Sequence, residues 1–313
     1  MEFLHLFLFL PPILLGVVMG GNDAGNILGP TVGNGIFRAR KAVFVVSVFV
    51  IIGAIIGGLP GMRVASGLVK VTTCEVIIIN LSSAIVTLFF LLNKLPISMT
   101  QAIVGANVGV GILTKNINTQ ILFVIVLAWF LTPPLAYVFS FVFFKLFSRI
   151  FKLIKSLQLR NMVLRLLLWG FTLYGAYSLG ANNAGKITGI LYNRGFNLYF
   201  LLLVSGVSLA VGILSFGERT IYTVGRSLIK LDDFSAMIVI SSSAFSIWFF
   251  SLLGLPISAA HAMIGSILGV SGARGTKIED KRVLQKIFFS WLEAPLYSGI
   301  FSAMLLSIYK LLW

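Results

Sequence analysis

The stretch "GVVMGGNDAGNILGPTVG", residues 16–33, lies where an apolar helix ought to continue. It carries six glycines, Pro30, and the polar side chains Asn22, Asp23 and Asn26. The apolar "FLHLFLFLPPILL" precedes it and "AVFVVSVFVIIGAIIGG" follows shortly after. An Asp at mid-membrane costs about 2.5–3.5 kcal/mol even on a lenient insertion scale. A purely structural acid is therefore a poor explanation, although glycines alone also serve close helix packing.

Working outward, 58% of the 313 residues are hydrophobic and 11% charged, with a mean hydropathy of +1.02. Soluble domains carry about a quarter charged residues. Apolar runs near twenty residues recur along the chain, so the expectation is an all-α polytopic membrane protein. The opening "MEFLH" has no basic n-region, so the first helix is not read as a cleaved signal peptide. Cys74 is the single cysteine, which excludes an intrachain disulfide or thiolate metal site. The net charge of +15 is read as loop charge facing anionic lipid rather than a nucleic-acid surface.

The polar stretch has a second copy 160 positions on. Gly20, Asn22, Ala24 and Gly25 return as Gly180, Asn182, Ala184 and Gly185. "SSA" at 82–84 returns at 242–244, and "LPIS" at 95–98 returns at 255–258. Ala102, Gly105, Gly109 and Val110 return as Ala262, Gly265, Gly269 and Val270, and a Trp-x-x-x-Pro pair recurs with a two-residue slip, Trp129/Pro133 as Trp291/Pro295. A constant offset over more than eighty positions marks a duplicated unit. Crossings are expected at about 3–36 (broken near 20–26), 42–60 and 119–146, then at 163–193, 197–217 and 284–312. Segments 76–114 and 234–271 are read as re-entrant helical hairpins.

Of the 24 lysines and arginines, this arrangement puts seventeen on one side and five on the other, leaving Lys94 and Lys186 within the hairpin and the broken helix. That bias places both termini outside and the central basic loop in the cytoplasm. Three crossings per half make the two repeats inverted. The division is then 1–146 as first repeat, 147–162 as cytoplasmic basic connector and 163–313 as second repeat.

Broken helices and hairpin turns meeting at the midplane suit an ion-and-anion site. Carbonyl and amide oxygens provide hard ligands for a small cation, and free N–H groups at helix starts attract an anion. Simpler readings stand beside this one. Ser98 and Ser258 can be caps, His261 a packed histidine, Glu75 a capping charge, and Lys186 a side chain that snorkels to the interface. His5 and Glu293 have no functional placement.

"GGNDAGN" and "GANNAGK" resemble the paired G-A-N-D-x-A-N signatures of the inorganic phosphate transporter (PiT) family. "LPISMTQAIVGANVGVG" and "LPISAAHAMIGSILGV" resemble that family's paired L-P-[IV]-S-x-T-H segments. The resemblance covers essentially the whole chain. It implies a secondary transporter that imports inorganic phosphate with sodium or protons, inverted repeats, a homodimer in the cell membrane and an elevator-like core. It implies no cofactor, sodium being a co-transported ligand. By position it implies phosphate contacts at Asn26, Ser98, Thr100, Gln101, Lys186, Ser258 and His261, and sodium contacts at Asn22, Asp23, Thr100, Asn182 and Asn183.

Four departures stand out. Asn183 replaces an acid, Lys186 an amide, Gln101 a histidine and Ala260 a threonine. Lys186 either contacts the anion or stands in for a bound cation. With hydrogen phosphate, Asp23 and a charged Lys186 in the core, about two sodium ions would neutralise the loaded state. A sulfate or proton-coupled anion permease of the same fold is the near alternative. Sulfate only accepts hydrogen bonds, whereas protonated phosphate also donates, so a buried acceptor favours phosphate. A membrane-embedded phosphatase is the remote alternative, and with two histidines and no paired intramembrane acids it lacks a catalytic set.

Overall fold

In hydrocarbon every backbone N–H and C=O must find its partner within the chain, and long helices meet that demand locally. The computed structural model, which describes residues 2–32, 37–92, 98–227, 231–276 and 281–312, is built in this way. The described helices are α1 (Glu2–Val32), α2 (Ala39–Gly57), α3 (Leu59–Leu68), α4 (Thr73–Leu92), α5 (Met99–Thr114), α6 (Thr119–Leu153), α7 (Leu157–Thr188), α8 (Leu198–Ser227), α9 (Asp233–Leu252), α10 (Ala259–Arg274) and α11 (Lys281–Leu312). Among the described residues, eight helices are long and apolar enough to cross a membrane. The protein is an all-α, multi-pass membrane protein. Gly33, Gly35, Lys94 to Ile97, Lys230 and Lys277 lie outside the described residues, as do the side chains of His5, Arg219, Arg226, Lys281, Arg282 and Lys286.

The expected segments correspond to observed helices, with one correction. Neither polar motif interrupts its helix. α1 runs unbroken through Gly20–Asn26, and α7 runs unbroken through Gly180–Lys186. The glycines are spent on helix crossings instead of unwinding. A Cβ at Gly20 would lie 2.0 Å from the Leu209 carbonyl oxygen, and one at Gly180 would lie 2.0 Å from that of Val50. Backbones in this contact exclude any side chain. The helical hydrogen bonds of α1 and α7 therefore survive, and these two motifs present side chains rather than backbone groups to the interior.

These crossings interleave the halves. α1 packs on α8 and α2 on α7, while α5 packs on α11 and α10 on α6. Each pair has its counterpart at the repeat offset. Gly105 meets the Pro295 carbonyl and Gly265 meets that of Pro133, a Cβ at either lying 2.3 Å from the oxygen. Where re-entrant hairpins of two shorter helices were expected, α4 packs on α5 and α9 on α10, but α4 and α9, with 20 residues each, are themselves long and apolar enough to cross a membrane, and the turn at 93–97 lies outside the described residues. α5 and α10, with 16 residues each, reach about 24 Å, short of the roughly 30 Å hydrocarbon layer.

Two local features were not foreseen. α3 is a separate helix, and the segment after it makes an antiparallel bridge between Val69 and Ile117. Lys70 N–H donates to Asn116 O at 3.3 Å and Asn118 N–H to Leu68 O at 2.8 Å, which ties the entrance of α4 to the exit of α5. Glu75 takes the expected capping role: its carboxylate accepts from Thr72 N–H at 2.7 Å while Thr72 Oγ1 accepts from Glu75 N–H at 3.4 Å. The segment 147–162 is itself mostly helical, with Ile154 to Ser156 alone outside α6 and α7. Large apolar side chains such as Phe44, Phe123 and Phe130 stay exposed, as lipid-facing residues do.

Candidate functional site

Because α1 remains helical, Asn22, Asp23 and Asn26 project from neighbouring turns toward one place. Asp23 Oδ1 accepts from Asn26 Nδ2 at 3.2 Å and from Asn22 Nδ2 at 3.3 Å. Its Oδ2 accepts from Asn183 Nδ2 at 2.9 Å, a contact between residues 160 apart in sequence. The two motifs that duplication set apart thus touch through equivalent positions. Asp23 is buried, and its carboxylate is held by three amide donors.

Lys186 occupies the other side of Asn183. Its Nζ donates to Asn182 Oδ1 at 2.5 Å, to Asn183 Oδ1 at 2.8 Å and to the Ile257 carbonyl at 2.6 Å. The lysine is buried and points inward, so it does not snorkel. Asn183 therefore stands between a cation and an anion, its carbonyl toward Lys186 and its amino group toward Asp23. Among the described residues the ion pair within 4.0 Å is Arg274–Asp232, far from this network in the sequence and exposed to solvent. Lys186 and Asp23 communicate through the amide.

The second hairpin turn supplies the anchor for Lys186. Gly254 adopts φ +71°, and a Cβ there would lie 2.4 Å from the Pro60 carbonyl oxygen, so glycine is required on both counts. The carbonyls that follow are each satisfied from a different helix. Leu255 O accepts from Asn182 Nδ2 at 3.1 Å and Pro256 O from Trp129 Nε1 at 3.0 Å. Ile257 O accepts from Thr100 Oγ1 at 2.9 Å as well as from Lys186. This turn joins α5, α6 and α7 to α10.

Next to it begin two short helices whose first turns carry the remaining predicted residues. Ser98 is the N-cap of α5 and accepts from Gln101 N–H at 3.4 Å. Ser258 is the N-cap of α10 but makes no capping bond. Gln101 and His261, equivalent by the repeat, are both buried. Gln101 Oε1 has no hydrogen-bond partner, and the ring nitrogens of His261 make no bond of good geometry, with the Trp129 backbone, left without a helical donor by Pro133, beside the imidazole. The imidazole lies against the Trp291 ring, tilted by 39° with ring centroids 3.7 Å apart. Unpartnered polar atoms in a buried site cost roughly 1–3 kcal/mol each, so their grouping at two helix starts points to a ligand.

A cavity beside Lys186 brings in two residues that sequence reasoning missed. Asn80 of α4 and Asn107 of α5 line it together with Asn182, Lys186 and Pro256. Each donates its Nδ2 to its own helix, Asn80 to Val76 O at 3.0 Å and Asn107 to Ile103 O at 2.8 Å, leaving an amide oxygen as an acceptor. Their repeat equivalents are Ile240 and Ile267, so the offset gave no signal. An asparagine within an apolar helix was the available clue. Glu293 is exposed and outside the network.

Residues 19–302 match the profile of the family described as PHO4, phosphate transporter family. The chain is 28% identical over 298 residues to the sulfate permease CysP of Bacillus subtilis (strain 168), covering 93% of this chain and 84% of that protein. A shorter match, 30% identical over 149 residues, is to the sodium-dependent phosphate transporter 1 of Homo sapiens, covering 44% of this chain and 22% of that one. Among solved structures, "The sodium-dependent phosphate transporter" superposes with a TM-score of 0.84 at 22% identity, covering 100% of both chains. The fold is shared with that structure.

Proposed function

The chain belongs to the phosphate transporter family, and from that premise we propose that it imports inorganic phosphate coupled to sodium. The anion is bound between the first turns of α5 and α10 and the cation at the Asn22–Asp23 cluster. The observation that carries phosphate is the pair of buried groups on Gln101 and His261 whose hydrogen-bonding capacity the protein leaves largely unused. A neutral imidazole offers one donor and one acceptor, and an amide oxygen only accepts. Protonated phosphate matches this mixed set with its own P–OH donor and bare oxygens, whereas sulfate leaves the acceptors unmatched. Ser258, free of capping duty, adds a hydroxyl.

Sulfate is the second reading, and two observations favour it: Asn183 and Lys186 make the second motif more positive, and the sulfate permease aligns over most of this chain. Moving a dianion inward against an inside-negative potential costs about 2.3 kcal/mol per charge per 100 mV, which co-bound cations offset. In this reading the halves are inverted repeats, the termini lie outside, and the 147–162 segment faces the cytoplasm. The core of helix–turn–helix units moves against the remaining helices in a homodimer, giving alternating access. The phosphatase considered from the sequence alone is set aside, because the family is one of transporters.

Uptake of labelled phosphate into proteoliposomes tests the proposal, with sodium gradient, pH gradient and competing sulfate varied separately. Saturable, sodium-driven uptake that excess sulfate leaves intact is expected. Uptake abolished by equimolar sulfate would transfer the assignment to sulfate, and uptake indifferent to sodium would remove the coupling.

A further inference from the structure

We propose that the Lys186 ammonium is a built-in cation, permanently filling in the second repeat the place that a transported sodium ion takes in the first. The proposal rests on the reading of the chain as a cation-coupled anion transporter. It begins from the ligands of Nζ: two amide oxygens and one backbone carbonyl at 2.5–2.8 Å. All three are pure acceptors, so three N–H donors are needed. A neutral amine has two, and the geometry therefore describes an ammonium ion.

Those donors are fully used. None remains for an anion, which decides between the two roles considered for Lys186. Three uncharged oxygens converging on one buried positive centre form the kind of shell that hard cations take from proteins. Here the cation is tethered to α7 by its own side chain.

The repeat indicates what it replaces. Asn182, Asn183 and Lys186 correspond by the 160-residue offset to Asn22, Asp23 and Asn26. In the first half the residue equivalent to the lysine is an amide that donates to Asp23, so no side-chain cation is present there. Asn22 commits its Nδ2 to Asp23 and keeps its oxygen as an acceptor, and the carboxylate keeps lone pairs beyond its three donors. One half thus offers acceptors to a mobile cation and the other has internalised its cation.

A tethered cation cannot dissociate on the cytoplasmic side. It returns with the empty carrier, where it balances Asp23, and the cycle requires one sodium fewer than a protein with two open cation sites.

The test uses full-length protein in lipid nanodiscs, with thermal stability followed against NaCl at constant ionic strength set by choline chloride. Lys186→Ala and Lys186→Asn remove the ammonium and leave its oxygen ligands. Both variants are expected to show sodium-dependent stabilisation steeper than that of the parent by about one ion per protomer. Lys186→Met fills the volume without a charge and is expected to gain none. Parent-like sodium dependence in both Lys186→Ala and Lys186→Asn, or an equal gain in Lys186→Met, overturns the proposal. Should Lys186→Ala fail to fold, Lys186→Asn, which restores the first repeat's residue, carries the test alone. A sodium response that is absent in the parent but present in the variants would sustain the lysine assignment and sink sodium coupling. The reverse pattern would do the opposite.

Discussion

Replacing Asp23 by Asn is the most informative single perturbation, because its consequences propagate through one traceable chain of hydrogen bonds. The carboxylate accepts from Asn22 and Asn26 on one oxygen and from Asn183 on the other. An amide presents a single oxygen. If that oxygen keeps the two α1 partners, its amino group faces Asn183 Nδ2 across the former 2.9 Å contact, donor against donor. Asn183 cannot relieve the conflict by rotating its amide, because its oxygen is held by Lys186 at 2.8 Å. The bond between the two motifs is therefore lost, and hydrogen bonds to charged groups are worth about 1.5–3 kcal/mol. That corresponds to roughly a ten- to hundredfold weakening of whatever the joined motifs bind. The only negative charge in the network also disappears, so Lys186 loses its counter-charge. The expected result is a folded protein whose coupled uptake is abolished and whose sodium response is flattened, read by a sodium titration of uptake and of thermal stability. Wild-type sodium dependence in Asp23→Asn would refute both the cation assignment and the relay through Asn183.

Further outcomes follow from the same geometry. Ser98→Ala loses a capping bond and is expected to cost about 1 kcal/mol of stability, whereas Ser258→Ala, which caps nothing, should spare stability and weaken anion binding about tenfold or more; equal behaviour of the two in melting and binding assays would contradict this. Trp129→Phe leaves the Pro256 carbonyl without its donor, at a cost of about 1–3 kcal/mol, and is expected to lower the melting temperature and loosen anion binding together. Gly180→Ala drives a Cβ to 2.0 Å from Val50 O and should destabilise by at least 1–3 kcal/mol, while Gly170→Ala, with nothing within 4 Å, should be neutral or stabilising in the same melting assay.

Hydropathy and the repeat offset were sufficient to locate every described α-helix except α3. Apolar runs place α1, α2, α6, α7, α8 and α11, and the paired "LPIS" segments mark both helix–turn–helix units, since burying backbone in lipid leaves little choice. What escaped the sequence has physical causes. Glycine permits both unwinding and close approach, and composition does not distinguish them; Gly20 and Gly180 serve approach, so α1 and α7 stay whole. α3 is short, and the Val69–Ile117 bridge is a long-range pairing with no periodic signal. The polar cluster in which the two motifs meet was legible because polar groups in apolar segments need a reason. Their division of labour was not, since it depends on which way the Asn183 amide and the Lys186 chain point. Asn80 and Asn107 were overlooked because an argument built on repetition discounts positions where the halves differ.

That difference between the halves has its own logic at Asn183. Its side chain must accept from an ammonium at 2.8 Å and donate to a carboxylate at 2.9 Å at the same time. A carboxylate at that position could receive Lys186 but would set a second negative group against Asp23, and such a pair cannot readily both remain ionised without a cation between them. A lysine at 186 beside an acid at 183 would form a direct pair and leave Asp23 without its partner from α7. The amide at 183 and the ammonium at 186 are therefore one change with two residues. Once a cation is tethered in the second repeat, the neighbouring acid must become a group that can both donate and accept, and asparagine does this at nearly the same size. Coupling of this kind keeps the contact that joins the halves while the second repeat holds its own positive charge.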